Sequence, residues 1–151
     1  MRAIIQRVLS SSVTIDGSIF SSIDQGLLVL LGVTEEDSEE DVVYLVHKIA
    51  QMRIFGDAEG KMNLSVMDIE GEVMVISQFT LFAQTKKGNR PSFILAAKPI
   101  QAIPLYTAFL HEMDKITQKK TASGVFGADM KVQLINDGPV TIFIDSKLKD
   151  I

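Results

Sequence analysis

The chain has no cysteine and only two histidines in 151 residues, and these shortages remove most of the familiar catalysts. Without cysteine there is no disulfide, thiol nucleophile or thiolate metal site, a composition compatible with a reducing cytoplasm. No His, Asp and Glu cluster has ligand spacing on one element, so no metal and no cofactor is expected. No apolar run is long enough to span a membrane. Gln6 and Arg7 interrupt the first apolar stretch too early for a signal-peptide core. The expectation is a cytoplasmic protein with no membrane partner. No Gly/Ser or Pro tract, internal repeat or low-complexity block divides the chain, and residues 1–151 read as one domain. The net charge of -4 argues against a broad electrostatic coat on nucleic acid, so such a ligand would have to be gripped locally.

What is present suffices for a core, at 46% hydrophobic and 23% charged. Arg2 to Val8 and Ser12 to Ile15 read as extended, and Asp16-Gly17 turns the chain back through Ser18 to Ile23. Leu27 to Val33 is continuously apolar and predicts a central strand covered on both faces. Ser38 with Asp41 forms a capping-box pattern ahead of Val42, Leu45, Val46 and Ile49 at helical spacing. Pro99 and Pro104 mark the start of a second helix carrying Tyr106, Phe109, Leu110 and Met113, with Lys115, Lys119 and Lys120 towards its end. Glu72 to Ala83 predicts one long strand. Met130 to Asn136 and Val140 to Asp145 predict a hairpin around Gly138-Pro139. The fold class is α+β, a largely antiparallel sheet or barrel with two main helices.

Two segments are chemically unusual: Ser77-Gln78-Phe79-Thr80-Leu81 and Asn136-Asp137-Gly138-Pro139-Val140-Thr141. Hydroxyls, an amide and a Gly-Pro pair position a substrate and hydrogen-bond to it, but none is a strong base near neutral pH. Ser77 and Thr80 invite a nucleophile reading, but no G-x-S-x-G elbow surrounds Ser77, and His47 and His111 lie off the apolar stripes of their helices. Directly after the first segment, Lys86-Lys87-Gly88-Asn89-Arg90-Pro91-Ser92-Phe93 offers cations for phosphate, an amide for a base edge and a ring for a base face; a solvated loop tip is the plain alternative. The acidic runs Glu35-Glu36-Asp37 and Glu39-Glu40-Asp41 read as a solvated helix start, where the dipole favours negative charge. Asp57 to Lys61 reads as a turn, lacking the ligand pattern of a calcium loop.

The motifs resemble the bacterial D-aminoacyl-tRNA deacylase family along nearly the whole chain. The resemblance runs in order through Met1 to Val8, Lys48 to Phe55, Lys61 to Val66, Ser77 to Ala83, Lys86 to Phe93, Phe126 to Met130 and Asn136 to Thr141. Thr121-Ala122-Ser123-Gly124 and Ala96-Ala97-Lys98 depart from the family pattern. The resemblance implies a homodimer of barrel-like protomers that hydrolyses the ester of D-aminoacyl-tRNA, and of glycyl-tRNA, at the 3′ acceptor end. It implies a site at the subunit interface, with Ser77, Gln78, Phe79 and Thr80 from one subunit and a cis Gly138-Pro139 from the other, whose carbonyls exclude an L side chain. It also implies that Met130 lines the pocket, Arg7 braces the Gly-Pro carbonyls, and Asn89 and Phe93 lie near the terminal adenosine, with Lys86, Lys87 and Arg90 on tRNA phosphates. Thr80 stands either as nucleophile or as a positioning group for water assisted by the adenosine 2′-hydroxyl. Two other readings stay open: a non-catalytic RNA-binding module for the acceptor end, and a general serine esterase.

Overall fold

A computed structural model describes residues 1–150. The chain runs β1 (Arg2–Ile15), β2 (Ser18–Ile23), β3 (Gly26–Gly32), α1 (Glu39–Gln51), β4 (Phe55–Gly56), β5 (Met62–Leu64), β6 (Glu72–Ser77), a 3-10 turn (Phe79–Phe82), α2 (Pro99–Thr117), β7 (Ala122–Ser123) and β8 (Lys131–Asp145). The class is α+β, with a nearly closed, barrel-like sheet. β1 is long enough to serve three neighbours, all antiparallel: β3 along its first half, β2 along its second, and β8 along both. β3 pairs β6 in parallel, and β6 pairs β7 in parallel, so the sheet is mixed, antiparallel around β1 and parallel beyond β3.

Strand side chains alternate between faces, and this sequence is apolar on both. Leu27, Val29 and Leu31 of β3 join Val73 and Val75 of β6 in a core shared with the two helices. Leu28 of β3 and Met74 and Ile76 of β6 point the other way, to Val8, Val13 and Ile23. The unbroken apolar run of β3 thus has cover on each side. α1 contributes Val42, Leu45, Val46 and Ile49, and α2 contributes Tyr106, Phe109 and Met113. Leu27, Leu45, Ile49 and Phe109 are 0% exposed, and burying each stabilises the fold by roughly 1.5–3 kcal/mol.

Three expectations need correction. The strand from Glu72 ends at Ser77, because its neighbour β3 ends at Gly32. After Gln78 N–H donates to Leu31 O at 2.7 Å, the chain turns, closed by Leu81 N–H to Gln78 O at 3.2 Å and Ala83 N–H to Thr80 O at 3.1 Å. The Gly138-Pro139 hairpin is no hairpin. Both flanks pair the same strand, Gln6↔Thr141 on one side and Val8↔Asn136 on the other, so Asp137 to Val140 bulge out opposite Arg7 alone.

The acidic run at the start of α1 is not wholly solvated either: Asp37 and Asp41 are buried. They satisfy cations and hydroxyls that pattern reading does not bring near. Asp37 accepts from the Met1 ammonium, which also donates to Ser146 Oγ at 2.8 Å. Asp41 accepts from Ser146 Oγ at 2.6 Å, from Lys147 Nζ at 2.9 Å and from the Ser38 amide at 2.9 Å. Burial alone would raise the Asp41 carboxyl, but the bonds from Lys147, Ser146 and Ser38 outweigh it and hold the group well below the usual carboxylate range. A carboxyl depressed in the folded state stabilises the fold above its unfolded value, near 3.8. That contribution is lost as pH falls through the folded value. Asp41→Asn is therefore expected to lower the thermal midpoint at about pH 7, and the gap from the parent chain should close towards about pH 2. A gap independent of pH would show that the carboxylate charge is not the stabilising feature.

Candidate active site

A cavity of ≈ 310 Å³ opens where the parallel strands β3 and β6 end. Leu31, paired with Ser77, and Ile76 form its base, and the chain leaving β6 supplies one wall, Ser77, Gln78 and Phe79. Ala102 and Tyr106 of α2 close a second side, and Phe126 to Met130 a third. Thr80 does not line the cavity; its Oγ1 accepts a hydrogen bond from Gln78 Nε2 at 2.5 Å and so sets the Gln78 amide. The turn carrying this wall lies directly on the end of β3. A Cβ on Gly32 would stand 3.0 Å from Gln78 O and 3.1 Å from Leu81 Cβ, a close approach that glycine best accommodates.

The chemistry of the lining is mild. Tyr106 is buried, and its hydroxyl donates to Val75 O at 2.7 Å; burial pushes its pKa up to about 12, so it stays a neutral phenol. Asp129, at the rim, accepts from Lys131 Nζ at 2.9 and 3.0 Å. Neither histidine lines the cavity. His47 on α1 lies 3.7 Å from Glu112 on α2, and His111 is exposed in a separate groove between α1 and α2. No imidazole of the same chain therefore stands beside Ser77 or Thr80 to take a proton, and the serine–base pair that a general esterase needs is not assembled within one protomer. Among the described residues no group of three or more His, Asp or Glu side chains is placed to hold a metal ion.

The second motif stands apart. Arg7 Nε donates to Asp137 O at 2.9 Å and Nη1 to Ile54 O at 2.6 Å, gripping the bulge at the carbonyl just before Gly138. Asn136 Nδ2 ties the bulge at both ends, donating to Arg7 O at 3.0 Å and Val140 O at 2.9 Å. The Gly138-Pro139 peptide bond is cis, and Gly138 has φ of 137°, where a side chain is strained. Gly138 and Pro139 are exposed, and neither they nor Arg7 line the cavity of their own protomer.

Beyond the wall, Gln84 and Ser92 exchange backbone hydrogen bonds of 2.8 and 3.0 Å, which close the Thr85 to Pro91 loop at its base. Lys86, Lys87, Asn89 and Arg90 are exposed on it. The loop returns Phe93 to an edge-to-face contact with Phe79, ring centroids 5.1 Å apart, which joins the basic loop to the cavity wall. Of the residues singled out in the sequence, Ser77, Gln78, Phe79 and Met130 meet at the cavity. Thr80 and Phe93 stand one contact behind, and Lys86, Lys87, Asn89 and Arg90 lie on the exposed loop that leads to Phe93. Arg7, Gly138 and Pro139 form a separate cluster. Pattern reading gave Tyr106 only a helix-face role and used Phe126 to Asp129 only as a family segment. The local signal there was a glycine pair, Gly124 and Gly127, in the link between β7 and β8, where a Cβ on Gly124 would meet Met130 Sδ and Gly127 has φ of 78°.

A model of the D-Tyr-tRNA(Tyr) deacylase family matches residues 4–145. A "D-aminoacyl-tRNA deacylase" of Flavobacterium johnsoniae is 55% identical over 150 residues, spanning 99% of this chain and 100% of the relative. A protein of the same description from Akkermansia muciniphila is 56% identical over the same span. A solved structure described as "c-Myc DNA Unwinding Element Binding Protein" superposes with a TM-score of 0.91 at 42% identity, covering 96% of this chain and 98% of that one. A probable eukaryotic D-amino acid tRNA deacylase, at 15% identity, shares the fold with a TM-score of 0.80, over 95% of this chain and 97% of its own.

Proposed function

This chain belongs to the D-Tyr-tRNA(Tyr) deacylase family and is a hydrolase acting on aminoacyl-tRNA, and we propose that it removes D-amino acids and glycine from mischarged tRNA in the cytoplasm, rejecting L substrates at Gly138-Pro139. The observation that carries this reading is the division of the two motifs: a cavity walled by Ser77, Gln78 and Phe79, and a rigid Gly-Pro bulge that is not part of it. A homodimer resolves the division, placing the bulge of one subunit over the cavity of the other. β8 supports that arrangement. Among the described residues it pairs only with β1, leaving one edge of a 15-residue strand open, and Ile135 and Phe143 on it are 54% and 42% exposed. Such an edge is a ready surface for another chain.

The substrate is the 3′-terminal adenosine bearing the ester. The wall of Ser77, Gln78 and Phe79, with Thr80 behind it on the Gln78 amide, holds the ester carbonyl, and the first amides of the 3-10 turn, which have no acceptor within the turn, face the oxyanion. Water, assisted by the adenosine 2′-hydroxyl, adds to the carbonyl carbon. The tetrahedral intermediate then expels the ribose oxygen, which takes the proton, leaving free amino acid and tRNA. Phe93 and Asn89 meet the terminal adenosine, Lys86, Lys87 and Arg90 the phosphates, and Met130 bounds the space beside the ester. Backbone carbonyls of Gly138 and Pro139, on the bulge that Arg7 grips at Asp137 O, stand where an L side chain would project; hydrogen of a D residue or of glycine fits there.

The test is release of amino acid from purified D- and L-aminoacyl-tRNA. D-aminoacyl and glycyl esters should be cleaved and L esters spared; equal cleavage of both enantiomers overturns the selection, and binding without cleavage restores the RNA-binding module. Thr80→Ala separates the two roles of its hydroxyl. A positioning hydroxyl contributes about one hydrogen bond, roughly 1 kcal/mol, so the rate should fall by about tenfold or less. Abolished turnover in a folded variant that still binds tRNA would make Thr80 the nucleophile.

A further inference from the structure

The wall of the cavity is held in place by contacts outside itself, among them its packing on Gly32 and the burial of Phe82. Its 3-10 turn spans only Phe79–Phe82, Phe79 is 55% exposed, and short 3-10 segments are not stable by themselves. Resting on the reading of Ser77, Gln78 and Phe79 as the substrate wall, we propose that Arg2 is a positioning residue for the reaction, clamping this turn from the end of β1 without touching substrate.

Arg2 is paired across the sheet with Gly32 on one side and Asp145 on the other, which puts it beside the strand end on which the turn rests. Its Nη1 donates to Leu81 O at 2.9 Å, and the guanidinium lies 4.5 Å from the centroid of the Phe82 ring. Leu81 O is a carbonyl near the end of the turn, where internal donors run out, and the ring contact fixes the guanidinium plane. Asp145 aims the arginine: its Oδ2 accepts from Arg2 Nε at 2.9 Å, while its Oδ1 is held by the Lys147 amide at 2.9 Å. Asp145 is 4% exposed and so is fixed by its surroundings. One planar group thereby joins a buried carboxylate, a carbonyl and a ring. Lysine can match the charge but not the fork or the stack. The amides and the Gln78 side chain belong to the clamped turn, so its displacement moves the groups that meet the developing charge.

Arg2→Ala is expected to lower kcat on D-aminoacyl-tRNA about tenfold per folded molecule, leaving KM within about twofold, since an orienting interaction is lost rather than a binding one. Millimolar guanidinium chloride, well below denaturing concentrations, should restore part of the rate by refilling the site. Arg2→Lys should keep the ion pair and the fold and lose about threefold in kcat. It decides the matter if the alanine variant does not fold. A purely structural arginine would lower the thermal midpoint, leave kcat per folded molecule unchanged and show no response to guanidinium, which overturns the proposal. Ser77→Tyr, which fills part of the cavity, is the control for the wall itself. If it is inactive while both Arg2 variants turn over normally, only the clamp is refuted; if it is active, the wall assignment falls and the clamp with it.

Discussion

Gly138→Ala is expected to reduce deacylation of D-aminoacyl-tRNA by about a hundredfold or more, because misplacing a positioning group by about 1 Å is enough for losses of that size. The new methyl has nowhere to go. A Cβ there would stand 2.8 Å from Val140 Cγ2, 2.9 Å from Val140 N and 3.1 Å from Arg7 Nη2. The side chains can rotate away, but the Val140 nitrogen is backbone, so the bulge itself must shift. The φ of 137° adds strain of order 1–3 kcal/mol for a residue with a side chain. The bulge is fastened on both flanks by the β1 ladder and by Asn136, so the fold should persist while the Gly-Pro carbonyls move. Rates should be measured per folded molecule, with the L ester alongside. Normal D turnover with intact rejection of the L ester would falsify the assignment of selectivity to this turn.

The second large effect is a recovery. Ser77→Tyr and Gly138→Ala should each be inactive alone. If each site combines the wall of one subunit with the bulge of the other, a mixed dimer carries one doubly damaged site and one intact site. Unfolding and refolding an equal mixture should then restore about one quarter of the parent rate, since about half of the dimers are mixed and each has one working site of two. If both motifs served the same subunit's site, every site in the mixture would carry one lesion and activity would stay at the background of the two parents.

Much of the fold was legible because local pattern and final packing agree. The run from Leu27 is apolar without interruption, which suits a strand with a core on each face. The capping pattern at Ser38 and the spacing of Val42, Leu45, Val46 and Ile49 describe α1 as it is found. The errors arise where partners distant in sequence decide. Phe79-Thr80-Leu81-Phe82 looks like more strand, yet β3 has ended beside it and the chain has no ladder to continue. Gly-Pro between apolar stretches has the composition of a hairpin tip, and only the length of β1, fourteen residues, shows that both flanks have the same partner. Asp37 and Asp41 read as solvent-facing because their cations arrive from Met1 and Lys147. The site was legible as motifs and not as geometry: Ser77 and Gly138 stand out by residue type, whereas Arg2, an ordinary strand residue, becomes visible only through its three contacts.

The bulge opposite Arg7 has a bearing on how such a chain can change over descent. A loop at a hairpin tip can gain or lose residues freely, since the two strands behind it merely extend or retreat together. Here both flanks are already committed to β1, with Val132 and Leu134 facing the inner core before the bulge and Val140, Ile142 and Ile144 packing on the helix side after it. Removing one residue from Asp137 to Val140 must either stretch the crossing or slip a ladder, and a slip of one position turns Ile142 and Ile144 to the opposite face. The segment is therefore a spacer of set length, its residue count fixed by the two ladders that flank it, separately from the demand for glycine at 138.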